Sequence, residues 1–323
     1  MSTAEPPPAH ARTAAAPGTT PGSTILTEAQ WTARRDRHHR AVDDLLAGHL
    51  HRRAAREKHP VHDFLFTYYS YRPGQLRRWH PGYGTVLLGD ATREFRDHPA
   101  YERVDVDGRR GIRVRVDVLD QRRDTIDFVA RLLAATAARP PQFGCFGLHE
   151  WAMVYRTDDD DLRHSQVPLR LGHARTDAVV ESMQLRCSHY DAFRFFTPDA
   201  APRNMLELTR TDRTAHEQPG CLHAGMDLYK WSHKLAPLVD SDLILQCFRH
   251  AWTARELDMR ASPYDLSDYG YSPITIETAA GRAHYVREQS ALTTRAAALR
   301  QELLNRCTAL GACRSDAPLA TGG

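Results

Sequence analysis

Lysine is nearly missing from this 323-residue chain: it stands only at Lys58, Lys230 and Lys234, and arginine supplies the other forty of its forty-three basic side chains. Arginine keeps its proton at any working pH, so these three positions hold the only side-chain amines able to act as base or nucleophile. Cysteine is sparse too. Cys145, Cys187, Cys221, Cys247, Cys307 and Cys313 are scattered, with no pair at zinc-knuckle spacing, so neither a disulfide framework nor a cysteine-built zinc is indicated. No P-loop, G-x-G-x-x-G, G-x-S-x-G or HExxH motif occurs, which argues against P-loop, Rossmann and α/β-hydrolase enzymes. No apolar run reaches the roughly 20 residues of a membrane span, and the first 24 residues lack a secretory signal's basic start and apolar middle. The expected location is the cytoplasm, with no membrane partner.

What is present reads as an ordinary globular chain, 41% hydrophobic and 26% charged. The net charge of +3 permits a nucleic-acid partner without indicating one. Residues 1–24, rich in Pro, Ala, Thr and Gly, bury too little apolar surface to order and are expected to be a disordered tail. Thr27 followed by Gln30 is a capping-box start for a helix from about 28 to 57. The runs TVLLG and IRVRVDV predict a small β element near residues 85–118. Helical spacing over 122–138, 221–236, 240–259 and 280–306 completes a mainly α, single compact domain over 25–306, with 307–323 a flexible tail.

Helix 221–236 carries the most explicit geometry. His223, Asp227, Lys230 and Lys234 fall at i, i+4, i+7 and i+11, within a sector of about 60°. Such a stripe is either a solvated lacing of salt bridges or one wall of a cleft, with Asp227 as base or charge stabiliser and Lys230 as phosphate holder. Tyr229 and Trp231 flank it. Eighteen histidines raise metal ligation, for which His149, Glu150, His189, His223 and Asp227 are the candidate donors. The segments 188–204 and 209–221 mix acid, guanidinium and aromatic groups, among them His189, Asp191 and Arg194, as purine or phosphate sites do.

The stretches HDFLFTYYSYRPGQLRRWHPGYG, CFGLHEWAMVYR, MDLYKWSHKLAPLV and ELDMRASPYDL resemble those of an actinobacterial family commonly labelled 3-methyladenine DNA glycosylase, over about residues 60–305. That resemblance implies hydrolysis of the N-glycosidic bond of an alkylated purine in DNA, without a cofactor. The chemistry needs an aromatic slot for the flipped cationic base and a carboxylate facing the developing oxocarbenium ion. Tyr68, Tyr69, Trp79 and Trp231 are then the slot, and Asp63, Glu150 or Asp227 the carboxylate. Arg72, Arg77, Arg78, Arg194, Lys230 and Lys234 are left to hold phosphates and substrate.

Two other classes stay open on the residues alone. One is a His/carboxylate oxidase on a heme-oxygenase-like helical scaffold, carrying iron or another transition metal. The other is a non-enzymatic protein holding a small ligand in an aromatic cleft. Metal content separates the first from the rest.

Overall fold

The computed structural model describes residues 23–158 and 166–313. Most of the predicted N-terminal tail, most of the acidic run at 158–161 and residues 314–323 lie outside that range. The helices are α1 (Glu28–Ala54), α2 (Asp63–Tyr68), α3 (Pro73–Arg77), α4 (Val116–Gln121), α5 (Arg123–Ala137) and α6 (Leu148–Ala152). They continue with α7 (His173–Ser182), α8 (Tyr190–Phe193), α9 (Arg213–His216), α10 (Leu222–Lys234), α11 (Ser241–Arg260) and α12 (Ala279–Ala312). Strands β1 (Thr24–Leu26), β2 (Thr85–Leu88), β3 (Tyr101–Val106) and β4 (Arg109–Val114) form one sheet. The protein is mainly α with a small β element, as the periodicities imply.

Local chemistry accounts for the elements. Thr27 accepts the Gln30 backbone N–H at 3.4 Å while Gln30 Oε1 accepts the Thr27 N–H at 2.9 Å, so the capping box that starts α1 is complete. The β3–β4 hairpin turns on Asp107-Gly108, both at positive φ (52° and 74°), as a two-residue turn of the primed type requires. The sheet order is β1-β2-β4-β3, with β1 parallel to β2 and the remaining pairs antiparallel.

Both predicted domain ends need correction. Thr24, assigned to the tail, pairs with Thr85 in β1, because a short edge strand needs only backbone partners and no apolar pattern of its own. At the other end α12 continues to Ala312, and Cys307 and Leu310 are buried against the body. Polar neighbours hid that stripe, whose apolar members recur at a spacing of three to four.

The core lies where α10, α11 and α12 pack together, with α5 packed on α12 and touching α10 through Phe128 and Trp231. Helix α10 is nearly central: every residue from Leu222 to Tyr229 is buried. Among the described residues no helix is long and apolar enough to cross a membrane.

The start of α12 is tightly fitted. A Cβ on Gly281 would come 1.9 Å from the Thr275 carbonyl oxygen. Gly281→Ala is therefore expected to cost about 1–3 kcal/mol through overpacking. Thermal melts check this, and an unchanged melting temperature would show that the 275–278 loop yields freely.

Candidate functional site

Helix α10 runs from the interior to a cleft, and the charged stripe follows it. His223 and Asp227 are buried, Lys230 is half-buried, and Lys234 is exposed at the helix end. The stripe is thus not a solvated lacing, because Tyr69, His189 and Glu217 surround Asp227 while His149 and Asp258 pack on His223.

The cleft at its outer end measures about 890 Å³. Its cations are Arg194, Arg210, Arg213, Lys230 and Lys234, facing the carboxylates of Asp124 and Asp191. Tyr68, Tyr69, Tyr71, Tyr190, Phe128 and Trp231 supply its aromatic surface. Lys230 Nζ and Lys234 Nζ stand 4.8 and 5.2 Å from the centre of the Trp231 ring. Burial and the nearby Lys230 and Arg213 charges push the Lys234 amine below its ordinary range, which marks a cleft with more positive charge than its acids neutralise.

Lys230 joins the cleft to the interior. Its ammonium donates to Asp191 Oδ2 at 2.7 Å and to Asp227 Oδ2 at 3.1 Å, while the Arg213 guanidinium also holds Asp191. Tyr69 donates its hydroxyl to Asp227 Oδ1 at 3.2 Å. Burial pushes the carboxyls of both aspartates up, but the Lys230 charge and its hydrogen bonds outweigh this and hold both below the usual carboxylate range. Both are therefore ionised at neutral pH.

Behind Asp227 lie two compact donor sets: His189 with Glu217 and Asp227, and His149 with His223 and Asp258. All six side chains are buried. Helix α10 gives one residue to each set, four positions apart, and the His189 and His223 rings lie 5.4 Å apart between centres. In the second set His149 Nε2 meets Asp258 Oδ1 at 2.7 Å, and Asp258 in turn pairs with Arg255 at 2.9 Å. Arg255 also binds Glu150 Oε1 at 2.6 Å. That group is held by close ion pairs, with Arg255 Nε left without a hydrogen-bond partner, whereas in the first set both His189 ring nitrogens and Glu217 Oε1 lack one.

Of the residues singled out by sequence, Tyr68, Tyr69, Trp231, Lys230, Lys234 and Arg194 line the cleft, with Asp227 directly behind. The others lie elsewhere. Glu150 is locked to Arg255 inside the core, since a buried carboxylate takes the nearest guanidinium. Asp63 is spent on the start of α2, accepting from the His59 N–H at 2.8 Å and meeting His49 at 3.0 Å. Trp79 is buried against Trp31 with ring centres 6.3 Å apart, as core rather than slot. Arg77 pairs with Asp43 in the open, Arg72 borders a depression beside Glu57 and Lys58, and Arg78 borders one near His80 and His98.

Sequence reasoning named Asp191 among mixed candidates but passed over Tyr71, Tyr190, Arg210, Arg213 and Glu217 as site residues. The segments holding Asp191 and Arg213 stood out for their mixed chemistry, but no periodicity in such short elements shows which side chain faces α10. No protein-family model, curated protein or solved structure matches the chain.

Proposed function

We propose that the chain is a DNA N-glycosylase that takes one extruded alkylated purine nucleotide into the cleft. The observation that supports this is the coincidence, in one cavity of about 890 Å³, of aromatic faces, five cations and an ionised carboxylate. A cavity of this size suits a nucleotide-sized ligand. The aromatic faces stack any base, and the ring quadrupole favours a purine made cationic by methylation. Arg210 and Lys234, which make no ion pair with the floor acids, are the phosphate holders in this reading.

Asp191, rather than Asp227, then faces the reacting sugar. Its depressed pKa suits a group that stays charged and stabilises an oxocarbenium ion better than one that must take up a proton. Water adds its oxygen to C1′, the electron pair of the N9–C1′ bond leaves with the base, and the released proton passes to solvent. Asp227 keeps a positioning role, holding Lys230 against Asp191.

Release of 3-methyladenine and 7-methylguanine from alkylated DNA tests the reading. Asp191→Asn is expected to lower release about a hundredfold without weakening DNA binding. The melting temperature should fall as well, because Arg213 and Lys230 lose the carboxylate they share. The double variant Arg210→Ala/Lys234→Ala should weaken duplex binding about tenfold at low salt and reduce the slope of log affinity against log salt by roughly 2. No release by the unmutated protein would sink the glycosylase reading. Nucleotide binding without release would leave a non-enzymatic ligand-binding cleft.

A further inference from the structure

The buried set beneath the cleft is harder to account for as ordinary protein than the cleft itself. His189 Nε2 stands 3.6 Å from Glu217 Oε1 and 3.4 Å from Asp227 Oδ2, and the three donor atoms lie within 4.8 Å of one another. His189 is fully buried, Asp227 is 1% exposed and Glu217 2%. Yet neither ring nitrogen of His189 and not the Glu217 Oε1 has a hydrogen-bond partner. Leaving three such atoms dry and unpaired costs about 1–3 kcal/mol each, more where the group is charged.

A proton on His189 answers the charge but not the geometry, because the ring would then present two N–H donors where no acceptor lies at hydrogen-bonding geometry. A cation answers the charge and gives partners to Nε2 and to Glu217 Oε1, leaving only Nδ1 as it was. Donor atoms held about 2.0–2.1 Å from a tetrahedral ion stand about 3.4 Å apart, close to the 3.4 and 3.6 Å that separate His189 Nε2 from the two carboxylate oxygens. The chain also orients one ligand from outside, since Tyr69 donates to the other oxygen of Asp227 at 3.2 Å. The second set shows the contrast: its His149 and Asp258 already bond each other at 2.7 Å.

We infer that His189, Glu217 and Asp227 bind one divalent first-row transition ion directly beneath the cleft. One imidazole nitrogen and two carboxylate oxygens are a donor set that manganese, iron and zinc all accept. The ligands come from the segment before α8, the segment after α9 and the middle of α10, so the ion ties together the elements that carry Asp191, Arg213 and Lys230. This inference does not depend on what the cleft binds: an ion beneath the cleft braces a glycosylase floor as readily as it serves an oxidase, so with this site base release, not metal content, separates those classes.

The test uses the full chain and no DNA. Protein purified without chelator is analysed for metals, then stripped and titrated by calorimetry with Mn²⁺, Zn²⁺ and, anaerobically, Fe²⁺. About one ion per chain is expected, together with a higher melting temperature when it is bound. Glu217→Gln keeps the shape but removes one ligand, and should lose both the ion and the thermal gain. Tyr69→Phe, which leaves all three ligands in place, should bind the ion roughly tenfold more weakly, and it serves should Glu217→Gln fail to fold. No binding of any of the three ions by the unmutated chain would overturn the assignment. So would undiminished binding in Glu217→Gln, which would put the ion elsewhere, or undiminished binding in Tyr69→Phe.

Discussion

Replacing Arg255 with methionine is expected to remove about 3–5 kcal/mol of stability, the cost of leaving a buried counter-charge without its partner. Arg255 is 1% exposed, binds Glu150 at 2.6 Å and Asp258 at 2.9 Å, and its guanidinium lies 4.0 Å from the centre of the Phe64 ring. Methionine fills much of the same volume against Phe64 and so isolates the charge from the packing. Without the guanidinium Glu150 faces the core as an unpaired carboxylate, while Asp258 keeps His149. At roughly 2–4 °C per kcal/mol for a domain of this size, the melting temperature should fall by roughly 6–20 °C. The double variant Arg255→Met/Glu150→Gln removes the stranded charge and should regain a good part of the loss. A single variant within about 1 kcal/mol of the parent, or a double variant no better than the single, would show that water reaches Glu150 when Arg255 is gone.

Acidification should have a comparable effect through buried histidines, of which His80 and His250 are two. Burial, with the charges of His98 and Arg78, lowers His80 to about 3, and burial with the Arg295 and Arg300 charges lowers His250 to about 4. Both are buried, at 7% and 2% exposure. Each is therefore neutral in the folded protein at a pH where the unfolded chain, with an ordinary value near 6.5, has already taken up a proton. Their contribution is intact above about pH 6.5 and is lost as pH falls, at about 1.4 kcal/mol per unit for each group until its folded value is reached. Between pH 8 and 4.5 the pair should cost on the order of 5 kcal/mol. Carboxyls held low in the fold, such as Asp63 and Asp191, give up their stabilisation only below about pH 4, so this window belongs to the histidines. Burial lowers His59, His223 and His233 into the same range, so urea unfolding at half-unit steps should show His250→Gln removing one group's share of the slope, about 1.4 kcal/mol per pH unit. An unchanged slope in that variant would mean that His250 titrates alike in both states.

Periodicity carried the helices because period and composition act locally: α1, α5, α10, α11 and α12 begin within a residue or two of where capping and apolar spacing put them. It marked β2 and part of β4 for the same reason, but it missed β1, whose three residues have no pattern to show, and β3, whose Glu102, Arg103 and Asp105 break the alternation. It also read Val116–Val118, the start of α4, as strand. For the site, one face of α10 was legible as His223, Asp227, Lys230 and Lys234, since 100° per residue is a property of the chain itself. What lay opposite that face was not.

The chain alone thus determined a helical domain and the presence of one ionisable stripe, both consequences of short-range geometry. Only the tertiary structure decided that Glu150 and Asp63 serve the fold, that Asp191 and Arg213 meet Lys230, and that Glu217 arrives beside His189 and Asp227. Those meetings join side chains up to 39 residues apart through short, irregular segments whose direction is set by the packing of α10 against α11 and α12. No local interaction specifies where such a segment points, so its side chains acquire their partners only when the core closes.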